Sequence, residues 1–149
     1  MRGLAASICL VGVACGGGDA AGPGTSHQLA GDWNYVTWNL QDGLGATCST
    51  QLTQLKLTQH GVTFDGQALF GLISCTWANG GGSANLGTGI VRTGIIDGDS
   101  VSFNFDKGQW RSFGRVVTSD SMTGIANLIY PLSSGGTLVM SGFWSAKRQ

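Results

Sequence analysis

The stretch that decides the fold runs from Gly89 to Leu128 and reads GIVRTGIIDGDSVSFNFDKGQWRSFGRVVTSDSMTGIANL. Short turn signals divide it into segments rich in Val, Ile, Phe and Thr; these signals are Asp97-Gly98, Lys107-Gly108 and Ser119-Asp120. Asp-Gly between apolar segments indicates a hairpin, because a tight two-residue turn needs positive φ angles. Between residues 100 and 106, apolar and polar side chains alternate, as in a strand with one buried face. The stretch therefore predicts an antiparallel meander.

The composition favours an all-β chain. Among 149 residues there are 26 Gly and 2 Pro, and all 8 acidic residues are Asp, so Glu is absent. A chain rich in Gly, Thr and Ser and poor in Lys and Glu forms helices badly. The formal net charge is 0 and the basic residues are scattered, which gives no support to nucleic-acid binding.

Outward from this stretch, the same pattern predicts eight strands. We expect them at residues 29–40, 50–59, 62–70, 89–96, 100–106, 109–117, 122–128 and 137–146. With no helix signal between them, they predict an eight-stranded antiparallel up-and-down β-barrel, whose interior is filled by side chains or holds one small ligand. The sequence does not decide which face of strand 109–117 points inward, because Trp110 and Val116 on one face and Phe113 and Val117 on the other are all apolar.

The connections predict two unlike ends. Tight turns join the strands at one end, whereas the long segments 41–49, 71–88 and 128–136 gather at the other. Within the second of these, residues 79–83 read as a flexible glycine-rich loop. A ligand or partner is therefore expected at the loop-rich end.

The N-terminus predicts export. Met1 and Arg2 precede 12 apolar or small residues, too few for a transmembrane helix but suited to a signal peptide. The run ends at Val13-Ala14-Cys15 before Gly16, which resembles the bacterial lipoprotein signal and implies acylation of Cys15. The residue after this Cys is Gly16 and not Asp, which resembles the lipoproteins that Gram-negative bacteria send to the outer membrane. An ordinary secretory signal cleaved after Ala14 is the alternative. The predicted division is 1–14 signal peptide, 15–28 flexible linker and 29–149 barrel.

Of the four Cys, Cys9 is removed with the signal and Cys15 is the lipidation candidate. Cys48 and Cys75 remain, and an even pair in an exported chain predicts a disulfide. Both lie at the loop-rich end, where their bond would tie two rim loops together. Two free thiols are the alternative.

The topology resembles the calycin barrels, which include lipocalins and avidin-like proteins. Gly31-Asp32-Trp33 is similar to the lipocalin Gly-x-Trp at the start of the first strand. The resemblance implies that a basic residue of the last strand, Lys147 or Arg148, packs over Trp33. A solvated charge at the tail is the alternative for Arg148. Ala30-Gly31-Asp32-Trp33 and one disulfide also resemble bacterial protease inhibitors of the Inh type.

Catalysis has little support in the sequence. His27 lies in the linker and His60 in a turn, the Asp residues occupy turn-like positions, and no Gly-x-Ser-x-Gly elbow or phosphate loop occurs. No cofactor or metal site is expected.

Aromatic residues are the better candidates for a site. Trp33, Phe103, Phe105 and Trp144 are expected in the core, whereas Trp38 and Trp77 lie near the loop-rich end beside Asn39, Asn79 and Asn85. Rings beside amides suit a ligand site, so Trp38, Trp77, Asn79 and Asn85 are the ligand-binding candidates. The alternative is that both Trp rings simply cap the core.

The sequence thus predicts a non-enzymatic, lipid-anchored protein of the bacterial envelope that binds a small apolar molecule at its mouth. A module that binds an envelope protein, such as a protease inhibitor, is the alternative, and a structural surface lipoprotein with a filled barrel is a third.

Overall fold

The computed structural model describes residues 27–107, 109–131 and 136–149, and it contains a closed barrel of eight antiparallel strands. The predicted signal peptide, Cys15 and most of the linker lie outside these residues. The barrel strands are β1 (Gly31–Gln41), β3 (Thr53–His60), β4 (Thr63–Leu69), β7 (Thr88–Asp97), β8 (Ser100–Phe105), β9 (Gln109–Thr118), β10 (Ser121–Pro131) and β11 (Thr137–Arg148). Each pairs with its neighbour, and β11 pairs with β1 to close the ring. The predicted all-β barrel is therefore confirmed.

Three further strands form a side sheet that we call the flap: β2 (Thr47–Thr50), β5 (Leu72–Trp77) and β6 (Gly80–Asn85). The flap begins where β1 bends at Asn39, whose φ is 53°, so that Leu40 points inward again and pairs with Cys48 of β2. β5 then pairs with β2, and β6 with β5. The predicted loops at residues 41–49 and 79–83 are wrong over residues 47–49 and 80–83, because these residues gain strand partners in the flap. The predicted loop at residues 128–136 is wrong over residues 128–131, which belong to β10, and its residues 132–135 lie outside the described residues.

Aromatic side chains fill the barrel. The Tyr35 ring lies at the centre of this core, with the rings of Phe103, Phe105, Trp110 and Trp144 at centroid distances of 5.4–6.4 Å. The Tyr35 hydroxyl forms a 3.0 Å hydrogen bond with the hydroxyl of buried Ser112. Burial without a charged partner raises the pKa of Tyr35, which keeps the phenol neutral. The predicted core positions of Trp33, Phe103, Phe105 and Trp144 are confirmed.

The inner face of β9 is now decided. Trp110, Ser112 and Val116 are buried, whereas Phe113 and Val117 point outward and are exposed. Gly114 also faces inward, and a Cβ atom there would lie 2.7 Å from the Trp144 indole. Gly114 pairs with Gly124 of β10, where a Cβ atom would lie 2.5 Å from the Gly114 Cα atom, so this glycine lets the two strands approach closely.

Tight turns close one end of the barrel, as predicted. Two-residue turns join β3 to β4, β7 to β8 and β9 to β10 at this closed end. Leu29 is fully buried there, and its carbonyl accepts a 2.8 Å hydrogen bond from the Trp33 indole. His27, where the described chain begins, contacts Asp99 of the β7–β8 turn at 2.7 Å. The chain therefore enters the barrel at the end opposite the flap.

Candidate functional site

A small apolar cavity lies between the flap and the open end of the barrel. Its volume is about 170 Å³. The flap side contributes Cys48, Ile73, Cys75, Ala84 and the adjoining Leu86, and the barrel side contributes Trp110, Leu128, Leu138 and Met140. Among the described residues of this lining, Lys107 is the one that carries a charge. The cavity lies at the end where the sequence predicts the mouth.

Strand register places the apolar side chains of the flap on one face. Cys48 pairs with Cys75, and Ile73 pairs with Ala84, so these positions share the face that looks toward the barrel. The predicted Cys48–Cys75 disulfide is present, with Cα atoms 4.0 Å apart. It does not tie two rim loops together, as the sequence suggested, because it cross-links directly opposed residues of β2 and β5. The bond therefore stiffens the flap itself.

Trp77 extends this face beyond the cavity. It alternates with Ile73 and Cys75 along β5, and 48% of its surface is exposed. Its ring lies over glycines of β6: a Cβ atom at Gly82 would be 3.3 Å from the indole. The ring thus covers the glycine end of the flap while presenting an open apolar edge to solvent.

The structure does not bring the four predicted ligand-binding residues together. Trp38 lies on the outer wall of the barrel, stacked on Phe143 with centroids 6.1 Å apart, because Thr37 takes the inward position beside it. Asn79 occupies the two-residue turn between β5 and β6. The Asn85 carbonyl accepts the Gly87 backbone N–H at 2.8 Å, a local turn contact. Among these residues, Trp77 alone shares the face that lines the cavity.

Sequence analysis missed the barrel side of the site. Leu128 and Met140 face inward on β10 and β11, and Leu138 packs against the core from the start of β11. Strand alternation predicts that these side chains face the barrel interior. It does not predict how far along the barrel axis they lie. Only barrel closure and the position of the flap identify them as cavity residues.

Two carboxylates near the mouth accept hydrogen bonds from backbone N–H groups. The Asp42 carboxylate accepts the backbone N–H groups of Leu44 at 2.7 Å and Ala46 at 3.0 Å, which shapes the turn before β2. These N–H groups, that of Leu44 foremost, hold the pKa of Asp42 below its ordinary value. The Asp106 carboxylate likewise accepts the Ile90 backbone N–H at 2.8 Å.

The two histidines of the described ranges lie away from the flap cavity. His27 sits at the closed end and His60 in the exposed β3–β4 turn. Across residues 27–107, 109–131 and 136–149, no cluster of three or more His, Cys, Asp or Glu is placed to hold a metal ion. The same ranges contain no helix of a length and apolarity that would cross a membrane.

Two wider grooves lie on the outer wall and differ from the cavity in kind. Their volumes are about 590 and 660 Å³, and both run over β3, β4 and β7 between exposed polar side chains such as Lys56 and Gln67. They are open hollows of the wall, whereas the flap cavity is walled by apolar groups from two sides. Enclosure and apolar lining are what a small-molecule site needs, so the flap cavity is the stronger candidate.

Comparison with known proteins adds no relative: no protein-family model matches the chain, and no curated protein or solved structure matches it significantly.

Proposed function

We propose that this chain is a lipid-anchored, lipocalin-like protein of the bacterial envelope that binds a small apolar molecule in the flap cavity. The observation that carries the proposal is the cavity itself, in which Ile73, Leu128, Leu138 and Met140 form apolar walls and Lys107 is the single charged residue in the described part of the lining. A site of this composition favours an apolar group inside and leaves any polar end of the ligand near the lysine.

The size of the cavity limits what fits. A volume of about 170 Å³ is close to that of an apolar cavity that accepts benzene, and below the roughly 300–1,000 Å³ of sites for drug-sized ligands. The ligand is therefore a compact apolar molecule, or one apolar end of a longer one. The aromatic core below leaves the barrel itself filled.

The anchoring part of the proposal depends on the N-terminal sequence and on where the chain enters. The apolar run that ends at Val13-Ala14-Cys15 is typical of an acylated protein. His27 joins the barrel beside Asp99 at the closed end, so a tether at Cys15 leaves the flap cavity away from the attachment point. A molecule diffusing in the envelope would then reach it.

A second candidate function is protein binding, and Trp77 is the observation that favours it. Its half-exposed ring beside an apolar cavity is an arrangement that a partner can use, with one of its side chains inserted and the ring packed alongside. A filled barrel also suits a protein-binding module such as an inhibitor.

Native mass spectrometry of protein purified from its own host tests the proposed function. We expect a retained small molecule that is released by organic solvent. Ala84→Leu, which adds bulk inside the cavity, should abolish it, whereas Ser83→Leu, which adds the same bulk to the opposite face of β6, should keep it. An empty protein that instead copurifies with a protein partner through Trp77 would favour the second candidate.

A further inference from the structure

A row of exposed apolar side chains crosses the outer wall at one level. Trp38 of β1 pairs with Phe143 of β11, Phe143 with Ile125 of β10, and Ile125 with Phe113 of β9. All four point outward, and 41%, 47%, 51% and 42% of their surfaces are exposed, in that order. We call these four residues the outer row. It spans about 15 Å, since neighbouring strands lie roughly 4.8 Å apart.

The outer row is flanked by two rows that are polar except at Val36 of β1. Toward the closed end, its neighbours are Val36, Ser145, Thr123 and Arg115; toward the flap, they are Gln41, Ser141, Asn127 and Arg111. The apolar row is therefore one residue high, far less than the apolar band of roughly 25 Å that surrounds a transmembrane barrel. It suits contact with a surface rather than passage through a membrane.

The core does not explain these side chains, because the opposite faces of the same strands already fill the barrel. With four to five tenths of each side chain exposed, the outer row presents roughly 300–400 Å² of contiguous apolar surface. Patches of this size on a monomer commonly mark an interaction site.

The charge around the row is positive. Phe113 lies between the exposed Arg111 and Arg115 on β9, and Arg92 of β7 continues the flapward polar row through Asn104. The two flanking rows cross six strands in the order β1, β11, β10, β9, β8 and β7. Their charged residues are these three arginines and one acid, Asp97. Within the described ranges, none of the three arginines forms an ion pair.

We propose that the outer row lies against an anionic lipid surface, with Trp38, Phe143, Ile125 and Phe113 among the headgroups and Arg111 and Arg115 on lipid phosphates. Aromatic rings beside arginines are the combination that favours the boundary between headgroups and acyl chains. Each cation near an anionic membrane adds attraction that salt weakens.

A second copy of the chain fits this wall less well. Two convex barrels meet along a narrow line, so a partner barrel would cover one or two strands, whereas a deformable lipid surface follows all four. A two-fold contact centred near Phe113 would also bring Arg111 and Arg115 of both copies together, and like charges oppose such a contact.

A lipid anchor at Cys15 would allow the outer row to reach the membrane, and this step rests on the proposed function. The chain enters the barrel at Asp99, three residues before Ser102, the β8 residue that pairs with Phe113. The sequence predicts a flexible linker after Cys15, and a flexible chain of 12 residues, the number from Cys15 to Ser26, would span roughly 20 Å on average. An anchored barrel would then stay within reach of the membrane. The outer row shares no residue with the cavity lining, so the cavity remains open when the wall is bound.

Quenching by brominated lipids tests the inference on the protein purified from the envelope, whether or not it carries acyl chains. The protein is placed with vesicles of phosphatidylglycerol and brominated phosphatidylcholine. Trp33, Trp110 and Trp144 are buried, so Trp77→Phe leaves Trp38 as the one exposed tryptophan of the described ranges, and Trp38→Phe leaves Trp77. We expect strong quenching in Trp77→Phe and little in Trp38→Phe.

Two further variants separate the outcomes. Ile125→Ser with Phe143→Ser should weaken the quenching of Trp38 roughly tenfold or more, whereas Leu52→Ser with Val62→Ser, at exposed positions elsewhere, should not. If Trp38 were unquenched in vesicle-bound protein, the inference would be wrong. It would also be wrong if the protein formed a dimer in solution that Ile125→Ser with Phe143→Ser converted to monomers. Intact mass reports lipidation separately: an unacylated chain removes the anchor, while quenching by added vesicles still decides the role of the wall.

Discussion

The guanidinium carbon of Arg148 lies 4.5 Å from the centroid of the Trp33 ring. The same side chain donates to the carbonyl oxygens of Ala30, at 2.7 Å, and Gln28, and lies 3.6 Å from the Asp120 carboxylate. The basic residue expected over Trp33 is therefore Arg148, and it is not a solvated tail charge. It fastens the end of the last strand to the segment that enters the barrel.

Replacing Arg148 should loosen the closed end. Arg148→Ala removes a cation–π contact and charge-assisted hydrogen bonds, so we expect the free energy of unfolding to fall by about 2 kcal/mol in urea denaturation. Lys147→Ala is the matched control, because Lys147 is exposed on the same strand and should change stability by less than about 0.5 kcal/mol. Equal effects of the two changes would show that the contact with Trp33 contributes nothing.

The disulfide should matter most in the flap. Cys48 and Cys75 are 27 residues apart, and replacing both with Ser removes a cross-link worth roughly 3–4 kcal/mol in the chain-entropy model. Hydrogen exchange should show the loss of protection first in β5 and β6, with β8 to β10 less affected. Ser49→Ala with Ser74→Ala, at the adjacent pair of the same ladder, is the control. Uniform loss of protection over the whole barrel would contradict a flap-specific role.

Acid should weaken the turn before β2. The backbone N–H groups of Leu44 and Ala46 hold the pKa of Asp42 below 3.8 in the folded state. Because the folded pKa lies below the unfolded one, Asp42 stabilises the fold above the unfolded pKa, and this contribution is lost as pH falls through the folded value. Asp42→Asn should therefore lose less stability than the wild type on acidification. Titration of the Asp42 carboxyl carbon by NMR checks the direction, and a pKa at or above 3.8 would contradict it.

The sequence was sufficient for the barrel because hairpin signals and alternation are local. It failed at β6, where Gly80, Gly81 and Gly82 read as a loop. In the structure a Cβ atom at Gly81 would lie 2.9 Å from the Cys75 carbonyl oxygen, and one at Gly82 would meet the Trp77 ring. These glycines serve close approach in a sheet, a reason that composition alone does not reveal.

The sequence left the inward face of β9 undecided for a different reason. Both faces of this strand are apolar, since Trp110 and Val116 fill the core while Phe113 and Val117 point outward. The same holds for Tyr35 and Trp38 on the two faces of β1. The ambiguity in the pattern therefore reflects a real property of the molecule, an outer wall that carries exposed apolar side chains. The cavity could not be predicted, because its lining comes from separate strands that only barrel closure brings together.

A toluene titration followed by methyl NMR shows whether the flap cavity binds a small apolar molecule. The methyl group of Met140 is the best reporter, because Met140 is 1% exposed and lines the cavity, so binding to the outer surface does not reach it. We predict saturable shifts at Met140, Leu128 and Leu138 that Ala84→Leu abolishes and Ser83→Leu preserves. Unchanged Met140 signals in the wild type, or equal shifts in Ala84→Leu, would contradict the claim.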